Sequence, residues 1–396
     1  MLTRIATCMV GGKGSEAAKS IASIVHDQLA GAAPAMLLAM ASTEQPLAEV
    51  LPVLSRAFPG IPVIGTSTAG QFTRERAADG QVAVFAVAGD FKVFASMATG
   101  LRASVEKTVT ETVQALPVEL SGFPHRTGLL FMDSFAGSGE EAALIAASLL
   151  GESVPLAGGT AGDDLKLGQT SWVGLDERVG PDALVSAVIF SKVPLGLGVC
   201  HGHDVLSAPL KVTKAEGPVV IEIEGRPAMT VWDEVTRTSS LRGSMDIHKP
   251  GLDGQGGFFG IFEAGLANGT EFKIRAPLMT VGEGGIGFAC GIPQGSVIRI
   301  MESTPQRQVE SARIAARRAR AMLGSGGVAG ALVFDCACRK IILRDQLQAA
   351  VDAIAGELDG KPLAGFEGYG EIAMSAGDMS GFHNTTSVVL AFPDGQ

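Results

Sequence analysis

Six side chains near the C-terminal end carry the densest chemistry of this 396-residue chain. Cys336 and Arg339 close the strand-like run ALVFDCACR. Tyr369 and Glu371 lie in the glycine-rich stretch GFEGYGE, and His383 and Asn384 precede the last apolar run. An arginine pairs bidentately with a carboxylate, and a glutamate holds an amine. With His383 and Asn384 as hydrogen-bonding groups for either end, the set suits a zwitterion such as an amino acid, or a cofactor bearing propionates. A polar network that merely ties the last loops together is the alternative. Cys336 and His383 also admit a cysteine-dependent hydrolase. No catalytic motif surrounds either residue, and a cysteine at a strand end is more simply a small buried hydrophobe.

Two further groups stand at predicted strand ends. Asp133 closes GLLFMDS, and Asp163 with Asp164 follows the turn VPLAGGTAG. If the two strands are parallel neighbours, these acids reach one edge of a sheet, where open α/β sheets bind ligands. They suit an amine or a cation, or else they cap loops. His201 and His203 alternate onto one face of a strand end, spaced to share a metal or to offer haem an axial nitrogen. Two surface histidines are the plain alternative. GGKGSEAAKS near the start lacks the spacing of a phosphate loop, and no strong strand is read before it.

What must position these groups is one pattern met three times. A strand, a helix and a second strand lead to a glycine turn: Ala35–Gly70, Gly128–Asp164 and Ala331–Glu371. In the first two copies a strand pair follows, Val82–Val87 with Lys92–Met97 about a Gly89-Asp90 hairpin, and Ala183–Phe190 with Leu195–His201. The expected fold is therefore α/β, with mixed β-sheets covered by helices and two domains built from three copies of a helix-strand-helix-strand-glycine turn-strand unit. Residues 1–210 hold two copies. Residues 211–396 hold a β-rich insert and the third copy. In the insert a hairpin is expected to turn at Glu224-Gly225, and Ser239–Gly257 reads as a mobile loop. In the third copy the helix is expected over Leu343–Leu358. The first copy ends in small uncharged residues (Ser42, Thr66, Ser67) and is expected to support structure, leaving the ligand to the third.

Composition bounds the partners. A net charge of −10 argues against nucleic acid, which needs clustered positive charge. The one basic run carries Arg313, Arg317, Arg318 and Arg320. It reads as a solvated helix face, or as a scaffold's docking surface for an acidic partner. Mean hydropathy is +0.29, spread over short runs too brief to insert in a bilayer. Five scattered cysteines give no disulfide framework. A cytoplasmic protein with reduced thiols is expected.

IPVIGTSTAG, PLAGGTAGDD, VTKAEGPVVIEIEGRPA, ALVFDCACR, GYGEIA and FHNTT, in that order, resemble the FIST proteins (F-box and intracellular signal transduction) across almost the whole chain. The resemblance implies a FIST N-terminal and a FIST C-terminal domain, and a bacterial ligand sensor rather than an enzyme. It implies a small ligand, either an amino acid or haem that reads nitric oxide. With no output domain in the chain, it also implies a separate signalling partner such as a histidine kinase. His201, His203, His383 and Tyr369 are the expected candidates for a haem axial ligand.

Overall fold

The computed structural model describes residues 2–168, 171–243, 245–249, 251, 254–375 and 381–395. The chain begins with a strand that the sequence reading misses. β1 (Arg4–Val10) leads to α1 (Gly14–Leu29), β2 (Met36–Ala41), α2 (Leu47–Ala57) and β3 (Val63–Ser67). The hairpin β4 (Gln71–Thr73) and β5 (Arg76–Ala78) follows, then β6 (Val82–Ala88). The next segment runs β7 (Phe91–Thr99), α3 (Val105–Gln114), β8 (His125–Met132), α4 (Gly139–Leu150) and β9 (Leu156–Thr160). It closes with the hairpin β10 (Val173–Leu175) and β11 (Arg178–Gly180), and with β12 (Ala183–Ser191).

β13 (Gly196–His201) opens the third segment, which an inserted lobe interrupts at once. The lobe holds β14 (His203–Val205), β15 (Leu210–Glu216), β16 (Val219–Ile223), β17 (Arg226–Pro227), α5 (Ala228–Thr236) and α6 (Gln255–Ile261). β18 (Phe262–Asn268), β19 (Glu271–Arg275), β20 (Pro277–Val281), β21 (Gly285–Phe288) and β22 (Val297–Ser303) complete it. α7 (Pro305–Met322), β23 (Val328–Cys336), α8 (Ala337–Leu343), α9 (Leu347–Glu357), β24 (Leu363–Gly368), β25 (Glu371–Met374), β26 (Phe382–His383) and β27 (Thr386–Pro393) finish the chain.

The strands form three six-stranded mixed sheets with one strand order. β6 lies between β1 and β2, antiparallel to both, and β2 runs parallel to β3. β12 takes the same place between β7 and β8, beside parallel β9. β27 takes it between β13 and β23, beside parallel β24. Each sheet is completed by a hairpin from elsewhere in the chain: β10–β11 on β3, β25–β26 on β9, and β4–β5 on β24. Sheets therefore mix strands from both sides of residue 210. The two hairpins expected at Gly89-Asp90 and before Leu195 do not form. β6 and β12 already have an antiparallel neighbour on each edge, so the turn after each carries the chain into the next sheet.

Strand alternation divides the burial. Met36, Leu38 and Met40 enter a shared central core with Phe85, Phe131, Phe334 and Phe392. Leu37, Ala39 and Ala41 of the same strand face the helices α1 and α2. α3 with α4, and α7 with α9, cover the outer faces of the other two sheets. α7 lies close because the backbone at its buried Ala315 and Ala319 meets Gly196 and Gly198 of β13.

The inserted lobe has its own nine-stranded sheet and its own core around Trp232, Phe258, Phe262 and Ile300. Its first hairpin turns at Gly217, between β15 and β16, rather than at Glu224-Gly225. The latter turn adds only the two-residue β17. Within the expected loop Ser239–Gly257, residues 244, 250, 252 and 253 lie outside the described residues, and α6 starts at Gln255. The helix expected over Leu343–Leu358 forms as α9 from Leu347, and an unexpected short helix, α8, precedes it. Arg344, at φ 53, separates α8 from a short 3-10 turn and α9, so Arg339 stands in α8 rather than on the strand.

Candidate functional site

The end of the third sheet meets the inserted lobe at a buried polar centre. β13 ends at His201 and the lobe starts at His203. β23 ends at Cys336, and β25 starts at Glu371. β26 and β27 are joined by Asn384 and Thr385. Thr385 is β-branched, fully buried and left-handed, at φ 52. Such a conformation costs roughly 1–3 kcal/mol and persists only where its surroundings enforce it. Its hydroxyl donates to Glu263 Oε1 at 2.7 Å, and Thr386 donates to Glu371 Oε2 from both its hydroxyl (2.8 Å) and its backbone N–H (3.2 Å). Glu263, on β18 of the lobe, places its other oxygen 3.4 Å from His203 Nε2.

This centre is only partly satisfied. Glu263 Oε2, Glu371 Oε1 and both ring nitrogens of His203 are buried without a hydrogen bond. Buried polar atoms nearly always have partners, so four such atoms in one cluster call for an explanation. Burial shifts each pKa toward the neutral form. It pushes Glu263 and Glu371 well above the usual carboxylate range, and Glu371 also feels Cys336. It holds His203 well below an ordinary histidine.

The residues singled out from sequence separate here. Cys336, Glu371, His201 and His203 gather in the centre, with Asn384 beside them, donating to the His383 carbonyl and accepting from Ala276 N–H. His383 faces β25, its Nε2 2.9 Å from the Ala373 carbonyl rather than at the Cys336 thiol. Burial pushes that thiol well above its usual range, which disfavours a thiolate nucleophile.

Arg339 is fully buried and spent. Nε meets Asp335 at 2.7 Å, Nη1 meets Gln308 and Ser311, and Nη2 meets the Gln308 carbonyl. Gln308 passes the link on to Ser303 of β22, which bonds Gly202. Arg339 therefore ties the third sheet to the lobe and has no fork left for a ligand carboxylate.

Asp133, Asp163 and Tyr369 form a second cluster. Asp133 accepts from Ser171 Oγ and from the N–H of Phe135 and Asp182, the loop-capping role. Asp163 accepts from the Tyr369 hydroxyl and from Leu167 N–H. The Tyr369 ring packs edge-on against Phe135 at 5.7 Å.

The expected haem role of His201 and His203 does not fit this arrangement. His203 is wholly enclosed and faces Glu263. His201 Nδ1 accepts the His203 backbone N–H at 3.2 Å, which leaves the proton on Nε2 and no free lone pair for iron. Among the described residues, no three or more His, Cys, Asp or Glu side chains are grouped to hold a metal.

Sequence reasoning missed Glu263, Asp335 and Glu367. Glu367 is fully buried with both oxygens unpaired, and burial pushes it to about 7 despite Lys340. The unfolded chain loses this proton first, so stability falls as pH rises from about 4.5 to about 7. Glu367→Gln should remove that fall. Urea midpoints should diverge from the parent protein at about pH 8 and coincide near pH 4. The histidine works in the other direction. Burial depresses His383 to about 4, so stability falls as pH drops from about 6.5 to about 4. His383→Gln should flatten that acid limb in the same titration.

The basic face of α7 is already paired. Arg313 meets Glu310, Arg317 meets Glu357, Arg318 meets Glu271 and Arg320 meets Asp359. No helix among the described residues is long and apolar enough to cross a membrane.

Three sheets around one core, with a lobe inserted beside a buried polar centre, define an α/β protein of unusual plan. The FIST N domain matches residues 35–226 and the FIST C domain matches residues 228–374, so the chain belongs to the FIST family, whose domains are associated with sensing in signal transduction. An uncharacterized protein of Methanocaldococcus jannaschii is 30% identical over 166 residues, 40% of this chain. The matched part is 31% of that relative's length. Among solved structures, PurLQS from Thermotoga maritima aligns over 98% of this chain and 73% of its own, at 11% identity and a TM-score of 0.23.

Proposed function

We propose that this protein is a non-enzymatic sensor that binds a small, amino-acid-like ligand where the inserted lobe meets the third sheet. It passes the change to a separate signalling partner such as a histidine kinase. The observation that carries this reading is two buried carboxyl oxygens without a hydrogen bond, Glu371 Oε1 and Glu263 Oε2, the latter 3.4 Å from His203 Nε2. An ammonium group supplies three donors to such a set. Glu263 and His203 belong to the lobe, whereas Glu371 and Thr385 belong to the sheets. A ligand held between them binds one lobe arrangement better than another, which is the requirement for a signal.

The test is thermal unfolding with each of the twenty amino acids, on the parent protein and on Glu263→Gln and Glu371→Gln. At least one amino acid should raise the midpoint of the parent protein and leave both variants unmoved. No shift with any of them, or shifts undiminished in the variants, would overturn the reading.

A further inference from the structure

An open cleft lies at a different strand end, in the first sheet, where the sequence suggests only supporting structure. It measures about 200 Å³ and sits beyond the carboxyl ends of the parallel strands β2 and β3. Ser42, Thr43 and Ser67 form its polar wall, and Leu47, Val179 and Trp172 form its apolar one. The carboxyl ends of parallel strands are where open α/β sheets take ligands.

Trp172 keeps 37% of its surface exposed, whereas Trp232, the other tryptophan, is fully buried. A half-open indole in a concave wall is a stacking surface. The hydroxyls beside it are already committed. Ser67 donates to the Gly162 carbonyl and accepts from Trp172 N–H, and Ser42 donates to Asp164. The body of an occupant therefore meets mainly apolar surface.

One cation touches the polar wall from beside the lining, through Thr43. Lys166 Nζ donates to Thr43 Oγ1 at 2.7 Å, is half exposed, and keeps protons to spare. Its loop is built to hold it there. Asp164, Leu165 and Leu167 all adopt positive φ (55, 61 and 52), and Asp163 fixes the turn by accepting from Leu167 N–H. The nearby Asp164 carboxylate is occupied: its Oδ2 accepts from Ser42 Oγ, Thr43 Oγ1 and Thr43 N–H, with Lys166 3.5 Å away.

We propose that this cleft is a second ligand site, one that takes a small aromatic carboxylate. The ring stacks on Trp172 against Leu47 and Val179, and the carboxylate pairs with Lys166. The volume suits roughly seven to ten heavy atoms, at about 30 Å³ for a water and less for bonded atoms. A fragment of that size binds in roughly the millimolar range.

Benzoate and benzamide are the probes, followed by tryptophan fluorescence, in which the exposed Trp172 responds and the enclosed Trp232 stays silent. Benzoate should quench saturably, and benzamide should bind at least about tenfold more weakly. Lys166→Met, a change at the surface, should bring benzoate down to the level of benzamide, and Trp172→Leu should abolish the quench. Quenching that does not saturate, equal binding of the two probes, or full benzoate affinity in Lys166→Met would each overturn the proposal. Glu263→Gln and Glu371→Gln, at the other strand end, should leave the titration unchanged, which keeps this site separable from the junction.

Discussion

Gly198→Ala should cost this protein about 3 kcal/mol, the upper end of the range for an overpacked core whose backbone must shift. A Cβ at Gly198 would stand 2.0 Å from the Ala315 carbonyl oxygen and 2.6 Å from the Ala319 nitrogen, both in the backbone of α7. At Gly196 it would meet the Ala319 carbonyl at 1.9 Å. Backbone cannot rotate away as a side chain can, so α7 must lift from β13. That movement opens the alanine seam and loosens Gln308, which links Arg339 to the lobe. Gly356→Ala is the contrast: it lies in α9 with nothing within 4 Å of the added carbon. It should stabilise by about 0.5–1 kcal/mol through helix propensity alone. Urea unfolding of the two variants should move in opposite directions. A Gly198→Ala midpoint equal to that of the parent protein would contradict the close seam.

Arg339→Met should be at least as damaging, at about 3–5 kcal/mol, the cost of removing one partner from a buried ion pair. Asp335 is 4% exposed and burial already raises its pKa, so loss of the guanidinium strands a buried carboxyl. Adding Asp335→Asn to Arg339→Met should recover part of the loss, because the stranded group then carries no charge. Ligand affinity in the single variant has to be read after correcting for folding, since Arg339 is fully buried and spends four of its five N–H groups within the protein. A variant that folds as well as the parent protein would remove Arg339 from the tie between sheet and lobe.

The two variants also mark what was legible in the sequence. The strand-helix-strand runs whose first strands close at Ser42, Asp133 and Cys336 are readable because apolar runs and glycine turns are local signals. The candidacy of Cys336, Glu371 and Asn384 is also readable, since each stands at a strand end, although β25 joins the second sheet and β23 the third. The partner across the seam is not. Glu263 sits in GIFEAGL, a single acid in an apolar run, and only its anomalous position hints that it is buried. Glu367 in AGFEGYG carries the same faint mark.

Long-range exchange defeats the sequence more thoroughly. The hairpins after β3, β9 and β24 each join a sheet built by another segment, and adjacent strands about Gly89-Asp90 part company. No local pattern distinguishes a turn within a sheet from a turn between sheets. Arg339 has the residue type for a carboxylate clamp, but its three partner residues, Asp335, Gln308 and Ser311, come from β23 and α7, which sequence spacing does not bring together. The first strand end looked inert because its residues are small, and small residues are what leave a cleft.

The central claim is that the seam between the inserted lobe and the third sheet reads the ligand. Hydrogen–deuterium exchange tests it most directly, with and without the amino acid that gives the largest thermal shift. The account predicts slowed exchange confined to the amides of β14, β18 and β25 and to Thr385 and Thr386, with α1, α2 and β2 unchanged. Protection that falls on the first sheet while those amides exchange as before would contradict it.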